Sequence, residues 1–198
     1  MSARKKPSGG ITAAELMAQL AQDTDFQAKT AAAEAERQVR VQELRRAEQP
    51  IVADLRQAGV DVESVWDLVN TAEPYPAALP VLLGHLERGG YPDRVMESLG
   101  RALAVGPAVA LWDRLKLLYL ASRNPGEEDG TAVALAACAT EAQLDDLIDL
   151  LSVEERGASR IYFVRPILKL GGARGRRLVE GLRSDPVFSK EARALLKR

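Results

Sequence analysis

LPVLLGHLERGGYPDRVMESLGRAL, residues 79–103, has a counterpart in LDDLIDLLSVEERGASRIYFVRPIL, residues 144–168. At an offset of 65, Leu83, Leu86, Leu99 and Leu103 fall on Ile148, Leu151, Val164 and Leu168. At a further offset of 31, Leu147, Ile148, Leu151 and Val164 fall on Leu178, Val179, Leu182 and Leu195. The unit between begins near Leu111, where Leu83 and Leu86 map onto Leu115 and Leu118. A period of about 32 residues that holds two apolar helix stripes and a turn is the signature of a helical-hairpin repeat. Such a unit cannot bury its apolar face alone, so its neighbours must stack on it.

Composition agrees with helices. Hydrophobic residues make up 46% and charged residues 28% of the 198, so the chain can bury a core. Aromatics are only 5%, and Ala and Leu dominate. The single cysteine, Cys138, lies in the apolar run AVALAACA and reads as a small buried hydrophobe. The polar start, MSARKKPSGG, has no apolar h-region, and no window approaches the apolar length of a membrane span. The expectation is a cytoplasmic protein without a membrane anchor.

The net charge of −1 conceals a polarity. Residues 61–155 carry 17 acidic and 6 basic side chains, whereas 156–198 carry 3 acidic and 12 basic. Asymmetry of this size points to an anionic partner for the C-terminal end, or to charge complementarity between molecules.

In chain order, residues 1–10 read as a disordered tail and 11–59 as an N-terminal helical arm. Thr12 and Glu15 have the spacing of a capping box, and Leu16, Met17 and Leu20 form one stripe. The stretch FQAKTAAAEAERQVRVQELRRAE has high helix propensity but few large apolar side chains, so it projects, crosses a domain, or pairs with another chain. Glu36 and Arg40 suit an i,i+4 pair, and Pro50 suits the start of a new helix. Trp66 reads as a core residue. The repeat domain spans 60–198, and its first helix, starting at Pro76, should be bent by Pro80.

A bent first helix, a tight turn, and a straight second helix opening Tyr91-Pro92-Asp93 resemble the HEAT-repeat family. The resemblance covers residues 74–198 as hairpins at 76–105, 107–139, 141–170 and 174–197. Its residues are Pro80, then Leu82, Leu83 and Leu86 as the buried stripe, then Leu99 and Leu103 in the second helix. It implies an all-α fold, a right-handed α-solenoid of four HEAT-like hairpins with an N-terminal helical arm. The second hairpin departs from the family, with a polar loop at 122–130 and a second helix short of charged residues.

Little in the chain suggests chemistry. His85 is the lone histidine, so no metal set or nucleophilic relay can be assembled, and no cofactor site is expected. Gly89-Gly90 and Gly171-Gly172 end hairpins and are turn glycines. Asp145, Asp146 and Asp149 read as a solvated helix face, and Glu127, Glu128 and Asp129 as a loop. Helical-repeat DNA glycosylases set a carboxylate beside aromatic rings, and Trp112-Asp113 is the nearest approach here. Adjacent helix positions point apart, and the acidic middle would repel phosphates. The chain therefore reads as a non-enzyme.

The functional signal is on the second helices, which in HEAT-like arrays line the partner-binding surface. Removing the core stripe leaves Arg94, Glu97 and Arg101 in the first hairpin, and Tyr162, Arg165, Pro166 and Lys169 in the third. The fourth contributes Lys190, Arg193 and Lys197. Each set shares one helical side. The expected binding residues are Arg94, Arg101, Tyr162, Arg165, Lys169, Lys190 and Arg193, a basic ridge that suits an adaptor for an acidic protein partner. Nucleic acid is the alternative ligand, and self-association through the arm a third possibility.

Overall fold

The computed structural model describes residues 11–197; the expected tail at 1–10 lies outside them. Among the described residues there are eleven α-helices joined by turns and short 3₁₀ segments, and no strand. Contacts divide the chain between Glu43 and Leu44.

The first unit holds α1 (Ala13–Gln22) and the opening turns of α2 (Thr24–Gln57). Thr12 caps α1 and Glu15 reaches back to the Thr12 N–H at 2.9 Å, so the capping box forms. On α2 the ion pair is Glu34 with Arg37, at 2.7 Å, and Glu34 also accepts from Gln38. Pro50 does not begin a new helix, as its sequence context suggested, but lies inside α2. It removes one intrahelical bond, and its neighbours Glu48, Ile51, Val52 and Leu55 are all buried. Packing on both sides of the proline holds the helix through it.

The second unit adds α3 (Val65–Asn70) and then four helix pairs. These are α4 (Ala78–Arg88) with α5 (Asp93–Ala102), and α6 (Trp112–Ala121) with α7 (Pro125–Cys138). Next come α8 (Leu144–Leu151) with α9 (Ile161–Leu170), and α10 (Gly172–Gly181) with α11 (Ser189–Leu196). The second helices also touch in succession, α3 to α5, α5 to α7, α7 to α9 and α9 to α11. One core runs through them, including Leu83, Leu86, Leu99, Leu103, Leu115, Leu135, Leu151, Phe163 and Val164. The helix α4 starts at Ala78, not Pro76, so Pro80 falls in its first turn. An N–H there has no helical partner, so the proline costs no bond and need not bend the helix.

Two kinds of contact join neighbouring pairs. The second helices α5 and α7 meet backbone to backbone. A Cβ on Gly126 would lie 2.0 Å from the Asp93 carbonyl oxygen, and one on Gly100 would lie 2.3 Å from the Gly130 carbonyl carbon. Only glycine permits that approach. The first helices are instead joined by polar side chains. Arg114 of α6 pairs with Glu87 of α4, and Arg174 of α10 donates to Asp145 of α8 at 2.6 Å. Asp146 of α8 accepts from the Trp112 indole N–H at 2.6 Å and from Lys116 at 2.8 Å.

The aspartates of α8 are therefore not a merely solvated face: two of the three tie α8 to its neighbours. The bond from Lys116 is the main influence holding the Asp146 carboxyl below its ordinary range; partial burial opposes it and the Trp112 bond adds to it. A depressed folded value gives stability that is complete above the unfolded carboxyl range, near pH 4. That stability is lost as pH falls through the folded value. Asp146→Asn should therefore flatten the acid limb of stability, seen as a smaller drop in urea midpoint between neutral and strongly acidic buffer. An acid limb as steep as in the parent chain would refute the linkage.

The stretch expected as a polar loop at 122–130 is mostly helix. Asn124 caps α7 by accepting from the Glu127 N–H at 2.8 Å, Pro125 takes the first helical position, and Glu127 and Glu128 complete an acidic first turn. Asn-Pro-x-Glu is a helix start that the polar composition obscured. Glu128 then meets Arg156 at 3.2 Å and accepts from Ser159 at 2.6 Å. Ion pairs such as this and Asp145 with Arg174 set the acidic middle against the basic end within one chain.

Candidate protein-binding face

The buried His85 and Ser159 have hydrogen-bond partners, whereas the buried Arg156 Nε has none among the described residues. His85 is 1% exposed, with Nδ1 2.6 Å from the Tyr91 hydroxyl and Nε2 2.9 Å from Asp54. Both ring nitrogens therefore have protein partners, leaving neither for a substrate. Burial pushes the Cys138 thiol up to about 11, which suppresses thiolate chemistry at neutral pH. Asp113 is exposed, and the Trp112 indole beside it donates to Asp146 of α8 instead. Among the described residues no group of His, Cys, Asp and Glu could hold a metal ion.

The second helices carry a different arrangement. Trp66 of α3 is half-buried rather than in the core, and the Arg94 guanidinium lies 4.9 Å from its ring centroid. Arg94 also donates to Glu97 at 2.8 Å, and Arg101 donates to the same carboxylate at 2.7 Å. Burial alone would raise the Glu97 carboxyl; the two guanidiniums outweigh it and hold the group below its usual range. Partial burial, then the Glu97 charge, pushes the neighbouring Asp129 up. Against the opposing effect of burial, the Glu97 carboxylate in turn holds the Arg101 guanidinium above its ordinary range.

Beside Tyr162 a groove of about 420 Å³ is lined by Val133, Ala136 and Ala137 of α7, Ile161, Tyr162, Arg165 and Pro166 of α9, and Glu191 of α11. Its lining is mainly apolar, with Tyr162, Arg165 and Glu191 as the polar side chains. Arg165 is exposed and lies 3.8 Å from Glu191. Lys169 and Lys190 are exposed, and Arg193 donates to the Arg183 carbonyl at 3.0 Å. Pro166, placed on the charged row by its spacing, is buried and belongs to the groove instead.

Of the seven expected residues, Tyr162 and Arg165 line the groove. Arg94, Arg101, Lys169, Lys190 and Arg193 lie outside its lining. Glu97 and Glu191 make the ridge mixed in charge rather than simply basic. Sequence reasoning missed Val133, Ala136, Ala137 and Glu191. The available signal was the shortage of charged residues in the second helix of the second pair: an alanine-rich helix between bulkier neighbours makes a floor. No family model, curated protein or solved structure matches the chain. The class defined by fold and face is an all-helical protein with a mainly apolar groove whose charged lining residues are Arg165 and Glu191.

Proposed function

We propose that the chain is a non-catalytic helical-repeat adaptor, a right-handed α-solenoid of four HEAT-like hairpins, that binds an acidic segment of a protein partner. The observation that carries this is the apolar groove between α7, α9 and α11, with Tyr162 and the exposed Arg165 in its lining. An apolar anchor would fill the groove and supply affinity, while carboxylates near the guanidiniums would set register and rate. Nucleic acid fits less well, because Glu97 and Glu191 stand among the cations and the groove walls are aliphatic.

Reversing Arg165, Lys169 and Arg193 to Glu tests the proposal. All three side chains are exposed, and exposed substitutions away from special features typically change stability by under about 0.5 kcal/mol. Association with an acidic partner captured on the parent chain should slow by about tenfold or more, through lost electrostatic steering. Unchanged binding at low salt would move the partner off this face. A steep linear fall of log affinity with log salt would instead identify a phosphate backbone as ligand.

A further inference from the structure

The groove reading calls for an acidic helix with an apolar stripe, and this chain contains one. Helix α1 is closed by its own capping box, so it presents a formed surface. Its stripe lies open: Leu16 is 48% and Met17 67% exposed, and Ile11 just before the cap is 60% exposed. Ala13, Met17 and Leu20 follow at four- and three-residue spacing, so the stripe occupies one side. Residues 11–25 include Glu15, Asp23 and Asp25 and no Lys or Arg. Arg165 and Lys169 on α9 and Lys190 on α11 are exposed beside or near the groove, opposite in sign and outnumbering Glu191, the one acid in its lining.

We propose that α1 of a second copy docks in the groove between α7, α9 and α11, so that the chain self-associates by exchanging its N-terminal helices. This rests on the reading of the groove as a helix-binding face. Reciprocal exchange uses the same two patches on both copies and closes at a dimer. The two most exposed large apolar side chains of α1, Leu16 and Met17, would leave water against Val133, Ala136 and Pro166. The acids flanking the stripe would face the cations of α9 and α11, so assembly would weaken with salt.

Light scattering coupled to size exclusion, run on the full chain over a wide concentration range, tests this. The parent should elute as a dimer that dissociates on dilution and more readily in high salt. Met17→Asp, which sets a charge in the apolar contact, should give a monomer. So should Ala136→Arg, which fills the groove from the other side. Arg165→Glu, at an exposed position where the fold is not at stake, should raise the dimer dissociation constant about tenfold or more. Leu117→Asp, on an exposed leucine of α6 outside the groove, should leave the dimer intact.

A parent chain monomeric at every concentration would overturn the proposal, as would a dimer that survives both Met17→Asp and Arg165→Glu. A labelled peptide of residues 11–25, titrated onto the Met17→Asp chain, separates this failure from failure of the groove reading. If the parent is monomeric yet the peptide binds and Arg165→Glu weakens it, the groove takes such helices and only the second copy is ruled out. A monomeric parent whose groove also ignores the peptide removes both.

Discussion

Gly126→Ala is expected to lower the melting temperature by about 6–12 °C, while the same change at Gly84 raises it slightly. Alanine is the better helix former by about 1 kcal/mol, so propensity alone would make both substitutions favourable. Surroundings decide the sign. At Gly126 the added Cβ would meet the carbonyl oxygen, carbonyl carbon and Cα of Asp93 at 2.0, 2.6 and 2.9 Å. These are backbone atoms of α5 and cannot rotate aside, so the helices must separate. Overpacking of this kind typically costs about 1–3 kcal/mol and occasionally more. Separation would also loosen the second contact, where Gly100 meets Gly130, so a net loss near the top of that range is expected. At about 2–4 °C per kcal/mol for a chain of this size, a loss of about 3 kcal/mol gives the stated shift.

At Gly84 an added Cβ meets nothing within 4 Å, and its backbone is not in the left-handed region. A gain of about 0.4–1 kcal/mol is expected there, chiefly from restricting the unfolded chain. Thermal melts of the two single variants read both results. Equal shifts of the same sign would mean that α5 and α7 do not approach as closely as described.

Phe163→Ala is expected to be the most damaging single truncation, costing about 3–5 kcal/mol. Phe163 of α9 is fully buried and packs edge-on against Tyr119 of α6, with ring centroids 5.3 Å apart at 84°. Removing the ring leaves a cavity at the junction of two helix pairs, where little can collapse to fill it. Tyr119→Phe probes the same junction with a far smaller effect. The Tyr119 hydroxyl lies 3.0 Å from Ser159 Oγ, and burial pushes its ionisation up to about 12. Ser159 keeps Glu128 as a partner, so losing the hydroxyl strands no buried group and should cost about 1 kcal/mol. Denaturant midpoints of the two variants should differ severalfold in their shifts. A Phe163→Ala chain as stable as Tyr119→Phe would show that the ring fills no essential space.

The apolar spacing of Leu83, Leu86, Leu99 and Leu103 and of their counterparts identifies helices by itself. Core positions on a helix recur every three or four residues, wherever the helix lies. The cap at Thr12 and Glu15 is equally local, and it forms as its spacing implies. The start of α7 was also written locally, in Asn124, Pro125 and Glu127, but a run of polar residues resembles a loop until the cap geometry is seen. Pro50 and Pro80 were misjudged for a related reason. A proline's cost depends on where the helix begins and on what its neighbours bury, and neither is set by the proline.

The all-helical class and the spacing of the apolar stripes are legible in the sequence alone, because they depend on neighbours within a turn or two. Trp66, by contrast, reads as core and proves half-buried. Long-range packing alone reveals that Asp146 answers Trp112 across 34 positions, that Glu191 faces Arg165, and that the alanines of α7 line a groove together with α9 and α11. A small side chain has no pattern that says what will lie over it. That meaning is supplied by bulkier residues arriving from other helices, and chain separation hides which ones they will be.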